Sequence, residues 1–179
     1  MGRWATAGWN TVANKKRACM KLKFEQVIEL PKEVLFAFHE DPGHLALLHQ
    51  GWATFRMIRH DGGLAQGSRT WFETTIAGIV PVVLGFEHTI YEPPNRFGEC
   101  LIHGPFRRFD HIHEFYDVDK GTVVCDCMEV ELPWYYGGEI VMRFFVTPLL
   151  RIAFLKRGNA LLKLARAGII AERAGRPIP

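Results

Sequence analysis

Polar and apolar residues alternate through MKLKFEQVIELP, residues 20–31, with Leu22, Phe24, Gln26 and Ile28 on one face, so this stretch reads as a strand that Pro31 ends. Pro31 also suits the first turn of a helix, and Val34, Leu35 and Phe38 follow at helical spacing in PKEVLFAFHED. A second short helix, PGHLALLHQ, starts after Asp41, a suitable N-cap. From residue 52 the period becomes two. WATFRMIRH, SRTWFETTIAG, VPVVLGFEHTIYE, RFGECLIHG, RRFDHIHEFYDV and TVVCDCMEVELP are broken by turn signals such as DGG, PPN and DKG. Beyond Gly137-Gly138 the chain predicts one long helix over 139–167. Ile140, Phe144, Leu149, Ile152, Leu155 and Leu162 lie roughly on one side of it, and Pro148 kinks it.

A strand, two short helices, six strands and one long helix make an α+β domain. Consecutive strands joined by short turns form an antiparallel sheet, and such a sheet must cover one face. The long helix is the element left to do so. A strongly curved sheet gripping it leaves a space between them, and Phe145 and Leu149 are expected to close that space from the helix side. No internal repeat is visible.

Composition narrows the class. A chain of 179 residues with 48% hydrophobic content fits one globular domain. Its net charge of +3 is unevenly spread. Residues 1–19 carry four basic groups and no acid, residues 20–139 carry ten basic against eighteen acidic groups, and residues 140–179 carry eight basic groups against Glu172. An acidic body argues against a nucleic-acid partner, whereas a basic, apolar C-terminal helix suits transient contact with an anionic membrane surface. Arg143, Pro148 and Arg151 interrupt the most apolar run, IVMRFFVTPLLRIAFL, so no membrane span is expected. The polar N-terminal stretch does not read as a secretory signal, and four cysteines without a CxxC pair fit a reduced, cytoplasmic protein.

The densest chemistry lies in GPFRRFDHIHEFYDVDKG, residues 104–121. Counting by twos puts Arg107, Phe109, His111, His113 and Phe115 on one face, and the aromatics pull that face inward. The same count turns Val124, Asp126, Met128 and Val130 inward, with Phe97, Glu99, Leu101 and His103 on another strand. Buried charges must pair or meet a polar part of a ligand, so a structural network and a ligand site are compatible readings. His111-x-His113 resembles the metal motif of cupins, but its spacing and following residues depart from that motif, and two alternate strand positions cannot fill a coordination shell. Cys125 and Cys127 fall on the opposite, outer face. There is no GxGxxG, Walker A loop or GxSxG elbow, so no metal, cofactor or nucleophile is expected.

The opening FEQVIELPKEVLFAFHEDPGHLALL, the hairpin YEPPNRFGE, the segment GPFRRFDHIHEF and GTVVCDCMEVELP resemble, in order and spacing, the SRPBCC superfamily and its ligand-binding bacterial members. That superfamily is the helix-grip fold of START domains, birch-pollen-allergen-like proteins and polyketide cyclases. The resemblance spans residues 20 to about 165 and implies a curved sheet of about seven strands. It places Met20 where the family's chains usually begin, so residues 1–19 read as an extension, 20–167 as the domain and 168–179 as a tail. It also favours Glu87 and Tyr91 pointing inward. The function it implies is binding of a hydrophobic small molecule, lipid-like or polycyclic, as carrier or sensor. The alternative is a cyclase- or aromatase-type enzyme using Arg107, His111 and Glu87 as acid-base groups.

Overall fold

Strand alternation and turn chemistry produce the expected meander in a computed structural model that describes residues 19–50, 54–76 and 78–175. β1 (Met20–Ile28) is followed by α1 (Lys32–Glu40), a helical turn and α2 (Leu45–His49). Six strands come next: β2 (Phe55–Asp61), β3 (Arg69–Ile76), β4 (Val80–Glu92), β5 (Arg96–His103), β6 (Arg108–Val118) and β7 (Gly121–Glu131). They form one antiparallel sheet in the order β1-β7-β6-β5-β4-β3-β2. At the β6–β7 turn, a Cβ on Gly121 would stand 2.2 Å from the Ile28 carbonyl oxygen, and its φ of 123° suits glycine.

The C-terminal helix is built in pieces: α3 (Gly138–Val141), a wide π-type turn over Met142–Val146, and α4 (Thr147–Arg166) with Pro148 in its first turn. The break expected at Pro148 therefore takes the form of the wide turn just before it. That turn shifts the helical phase. The stripe facing the sheet is Met142, Val146, Leu150, Phe154, Arg157 and Leu161, not the one expected. Ile140, Phe144, Ile152 and Leu155 lie on the outside, and Phe145, expected to close the cavity, is 64% exposed. Leu149 lines the cavity at its edge and is 38% exposed.

The core has two lobes. Phe36, Phe38, Leu35, Phe97, Phe115 and Leu161 build one beneath α1. Leu22, Phe86, Phe109, Met128, Val130 and Met142 build the other under the start of the long helix. The expected tail from residue 168 begins as α5 (Ile169–Arg173), whose Ile170 and Ala171 are buried in the first lobe. The extension expected over residues 1–19 lies, apart from Cys19, outside the described residues.

Candidate functional site

Two rows of side chains cross the concave face of the sheet. Backbone register aligns His88, Glu99, His111 and Met128 on β4, β5, β6 and β7. The adjacent row runs Tyr91, Phe97, His113, Asp126 and Phe24. Antiparallel pairing thus converts distant stretches of sequence into one polar cluster. Phe109, His111, His113 and Phe115 point inward as the alternation requires, and all four are buried. Asp126 and Met128 do the same on β7.

Asp126 is the centre of the cluster. Arg157 reaches down from α4, its Nη1 donating to Oδ1 and Oδ2 at 2.8 and 2.6 Å. Nε2 of His111 lies 3.2 Å from Oδ1, and its Nδ1 lies 3.6 Å from Oε1 of Glu99. Nδ1 of His113 approaches the same Oδ1 to 2.7 Å but off the hydrogen-bonding direction, which leaves that nitrogen unsatisfied. Burial opposes charge on Asp126, yet Arg157 and the histidines outweigh it and hold the carboxyl well below its usual range. Burial likewise opposes charge on His111, but Asp126 and Glu99 outweigh it and raise its pKa. His113 is pushed well below its ordinary value by burial and then by the charge of His111. Two neighbouring imidazoles, with ring centroids 3.9 Å apart, are driven in opposite directions. Arg157 and the two imidazoles thus face the carboxyl groups of Asp126 and Glu99 inside one buried cluster, so each buried acid has a basic neighbour.

Beside this cluster is a cavity of about 560 Å3 between the sheet, α1–α2 and α4. Its apolar wall includes Phe72, Leu84, Phe86, Phe106, Phe109 and Leu150, and its polar wall includes His39, His88, Glu99, His111, His113 and Arg157. Away from the His113–Asp126 contact, two imidazoles in the polar wall keep a buried ring nitrogen without a hydrogen-bond partner: His39 Nε2 and His88 Nδ1. His39 Nδ1 sits 2.7 Å from the Leu35 carbonyl, so it must donate, and Nε2 is left as a bare acceptor. The ring as a whole is partly exposed, but that nitrogen is out of solvent contact. Burial, then the charge of Arg157, lowers its pKa to about 4. His88 Nε2 stands 3.4 Å from Thr70 Oγ1. Bare buried nitrogens are costly, and a ligand group that hydrogen-bonds them recovers that cost.

Several expected positions fall elsewhere. Glu87 points to the outer face and pairs with Arg69 at 2.8 Å, while Phe86 and His88 take the inner face. Register shifts at Gly85/Phe86 and His88/Ile90 reset the alternation, which strict counting cannot foresee. Tyr91 is returned to the inner side by the second shift, but it is 39% exposed and its hydroxyl donates to Glu40 of α1 at 2.6 Å. His103 is turned outward by the first shift and lies against Trp71, ring centroids 5.3 Å apart. Arg107 precedes β6 and is exposed, 3.3 Å from Glu131, while Phe106 lines the cavity instead. Leu101 and Met128 pack in the second core lobe. Glu99, Phe109, His111, His113 and Leu149 line the cavity, and Asp126 stands behind its polar wall.

Arg157, His39 and His88 were not identified from sequence. The signal for Arg157 was its place at helical spacing after Leu150 and Phe154, where a solvated arginine does not belong, together with a buried Asp126 that needs a cation. The structure also supplies a third donor beside the histidine pair: donor atoms of Glu99, His111 and His113 lie within 4.8 Å of one another, close enough to share a cation. On the outer face, Glu114, Cys125 and Cys127 make a second such group, with the two sulfurs 3.4 Å apart.

No protein-family model matches the chain, and no curated protein matches it. Solved structures do. A protein of Thermus thermophilus is similar at 19% identity and a TM-score of 0.66, covering 83% of this chain and 99% of that one. An aromatase/cyclase from Streptomyces sp. R1128 is similar at 11% identity and a TM-score of 0.66, covering 85% and 96%. The major latex-like protein 151 of Panax ginseng is similar at 12% identity and a TM-score of 0.64, covering 81% and 96%. The chain shares with these structures the helix-grip fold, a curved antiparallel sheet closed over a long C-terminal helix.

Proposed function

We propose that the chain binds an apolar or amphipathic small molecule, lipid-like or polycyclic, in the cavity between the sheet and the long helix, as a carrier or sensor. The observation that carries this reading is a cavity of about 560 Å3 lined largely by aromatic and aliphatic side chains, into which His39 and His88 bring buried, unpaired imidazole nitrogens. That volume and that lining suit a small-molecule site. A hydroxyl or carboxylic acid group donates to His39 Nε2, beside His113, while the rest of the molecule packs on the aromatic side chains. The test is a fluorescence titration with an anilinonaphthalene sulfonate dye, followed by displacement with long-chain fatty acids and polycyclic phenols. Saturable dye binding that these compounds displace, and that His113→Ala weakens, supports the reading; a dye response that His113→Ala and competitors leave untouched removes it.

A second reading is favoured by the opposed behaviour of His111 and His113. Adjacent imidazoles whose affinities for the proton are pushed apart suit an acid and a base, the pairing that a cyclisation or dehydration of a polyketone substrate uses. On this reading Glu99 and His113 replace the Glu87 and Arg107 expected from sequence, because those two lie outside the cavity. Turnover of a polyketone that His111→Gln abolishes while binding persists selects it.

A further inference from the structure

The outer side of the C-terminal helix is apolar where solvent should make it polar. Trp134 is 83% exposed, Ile140 69%, Phe144 66%, Phe145 64% and Ile152 51%. Across from it, the β3–β4 turn carries Ile79 at 80% and Val80 at 55%. The cavity reaches the surface between these two elements, because Ile76 and Gly78 on the turn and Leu149, Ile152 and Lys156 on α4 are both lining and exposed. The mouth and the apolar patch are therefore one surface. Contiguous exposed apolar surface of this kind marks a face that meets something.

We propose that this face docks on an anionic lipid bilayer, with the mouth of the cavity opening onto the hydrocarbon. Charge selects this occupant. Residues 134–156 carry Arg143, Arg151 and Lys156 against Glu139 alone, a net +2 that complements anionic headgroups. In an interface between two copies of the chain, that charge would meet its own sign. Composition agrees. Trp134, Tyr135 and Tyr136 combine rings with polar tips, as side chains at headgroup depth do, and the guanidinium of Arg143 sits 5.9 Å over the Phe144 ring. The stripe from Ile140 to Leu155 runs about 22 Å along the helix surface, so it lies in the interface and does not cross it. No helix among the described residues is long and apolar enough to span a membrane. An apolar molecule passes between bilayer and cavity here without entering water. The inference rests on the surface and stands whichever molecule fills the cavity.

The test is sedimentation of the full chain with phosphatidylcholine vesicles containing about 30% phosphatidylglycerol, against vesicles of phosphatidylcholine alone. We expect binding to the anionic vesicles that is roughly tenfold tighter than to neutral ones and that weakens in about 0.5 M salt. Phe144→Ser/Phe145→Ser and Arg143→Glu should each reduce it severalfold or more, with thermal unfolding unchanged because all three side chains are exposed and none lines the cavity. No binding to anionic vesicles, or binding that neither variant alters, overturns the proposal. So does a dimer in light scattering that Phe144→Ser/Phe145→Ser dissociates, which would assign the patch to a second copy.

Discussion

The inner wall of the sheet has an aromatic region and an ionic one, and they are held together differently. In the first, Phe72, Phe86 and Phe109 meet ring to ring, Phe86 with centroids 5.9 Å from Phe72 and 5.7 Å from Phe109. Each contact is small and the loss of one leaves the others in place. In the second, Asp126, Arg157, His111, His113 and Glu99 are interdependent, since each buried charge is tolerable only while its partners stand. The aromatic region sets how much a ligand can bury, and the ionic region sets how it is oriented. A defect in the first should enlarge the cavity; a defect in the second should threaten the fold.

The largest expected effect follows from that asymmetry. Arg157→Ala leaves Asp126 uncompensated and should cost about 3–5 kcal/mol in denaturant unfolding, with much of the loss recovered in the double variant Arg157→Met/Asp126→Leu. A cost below about 1 kcal/mol would mean that Asp126 draws its compensation from elsewhere. Phe86→Ala tests the aromatic region. It should cost about 3 kcal/mol and leave the polar wall intact, so affinity for bulkier ligands rises as stability falls.

Acid should act on the ionic side of the comparison. His39 and His49 are held down to about 4 by burial first, so the folded form binds fewer protons than the unfolded chain between pH 6.5 and 4. Their stabilisation is complete above pH 6.5 and is lost as pH falls toward 4, by about 2 kcal/mol for His39 after allowance for its partial exposure. His111 has the opposite sign. Its raised pKa contributes stability that is present below pH 6.5 and is lost as pH rises through the folded value. His39→Phe should flatten the acid limb of Tm against pH, and an unchanged limb would count against a neutral His39.

A smaller effect is expected on affinity. His111→Ala and His113→Ala should each change the binding of an amphipathic ligand by about 1–2 kcal/mol in the displacement titration, and change that of a purely apolar ligand less. The smallest contrast lies on the helix. Phe145→Asp should alter stability by no more than about 0.5 kcal/mol, because the side chain is outside, whereas Leu150→Asp should fail to fold.

Strand order, the long helix and the inward set of β6 and β7 were legible in the sequence, because uninterrupted alternation has only two solutions and aromatics choose between them. Three features were not. The shifts within β4 and β5 exchange faces without leaving a mark in composition, so strict counting turned His103 inward, and the resemblance put Glu87 and Tyr91 on one face that the second shift divides. The wide turn at Met142–Val146 rotates the helix, so an apolar stripe that looked like the gripping face became the outer one. Partnership across the cavity is a matter of tertiary geometry. Asp126 was readable as a buried charge in need of a cation, but the arginine that answers it comes from the helix and not from Arg107.

The central claim is that the cavity holds an organic molecule against a polar wall whose buried acids and bases are already paired. Native mass spectrometry of protein purified gently from cells, without added metal, tests it most directly. The account predicts the mass of the chain plus a small organic molecule, released on denaturation and reduced in occupancy by His113→Ala. The bare chain under every gentle condition, or the chain plus one zinc or iron ion seated among Glu99, His111 and His113, would contradict it.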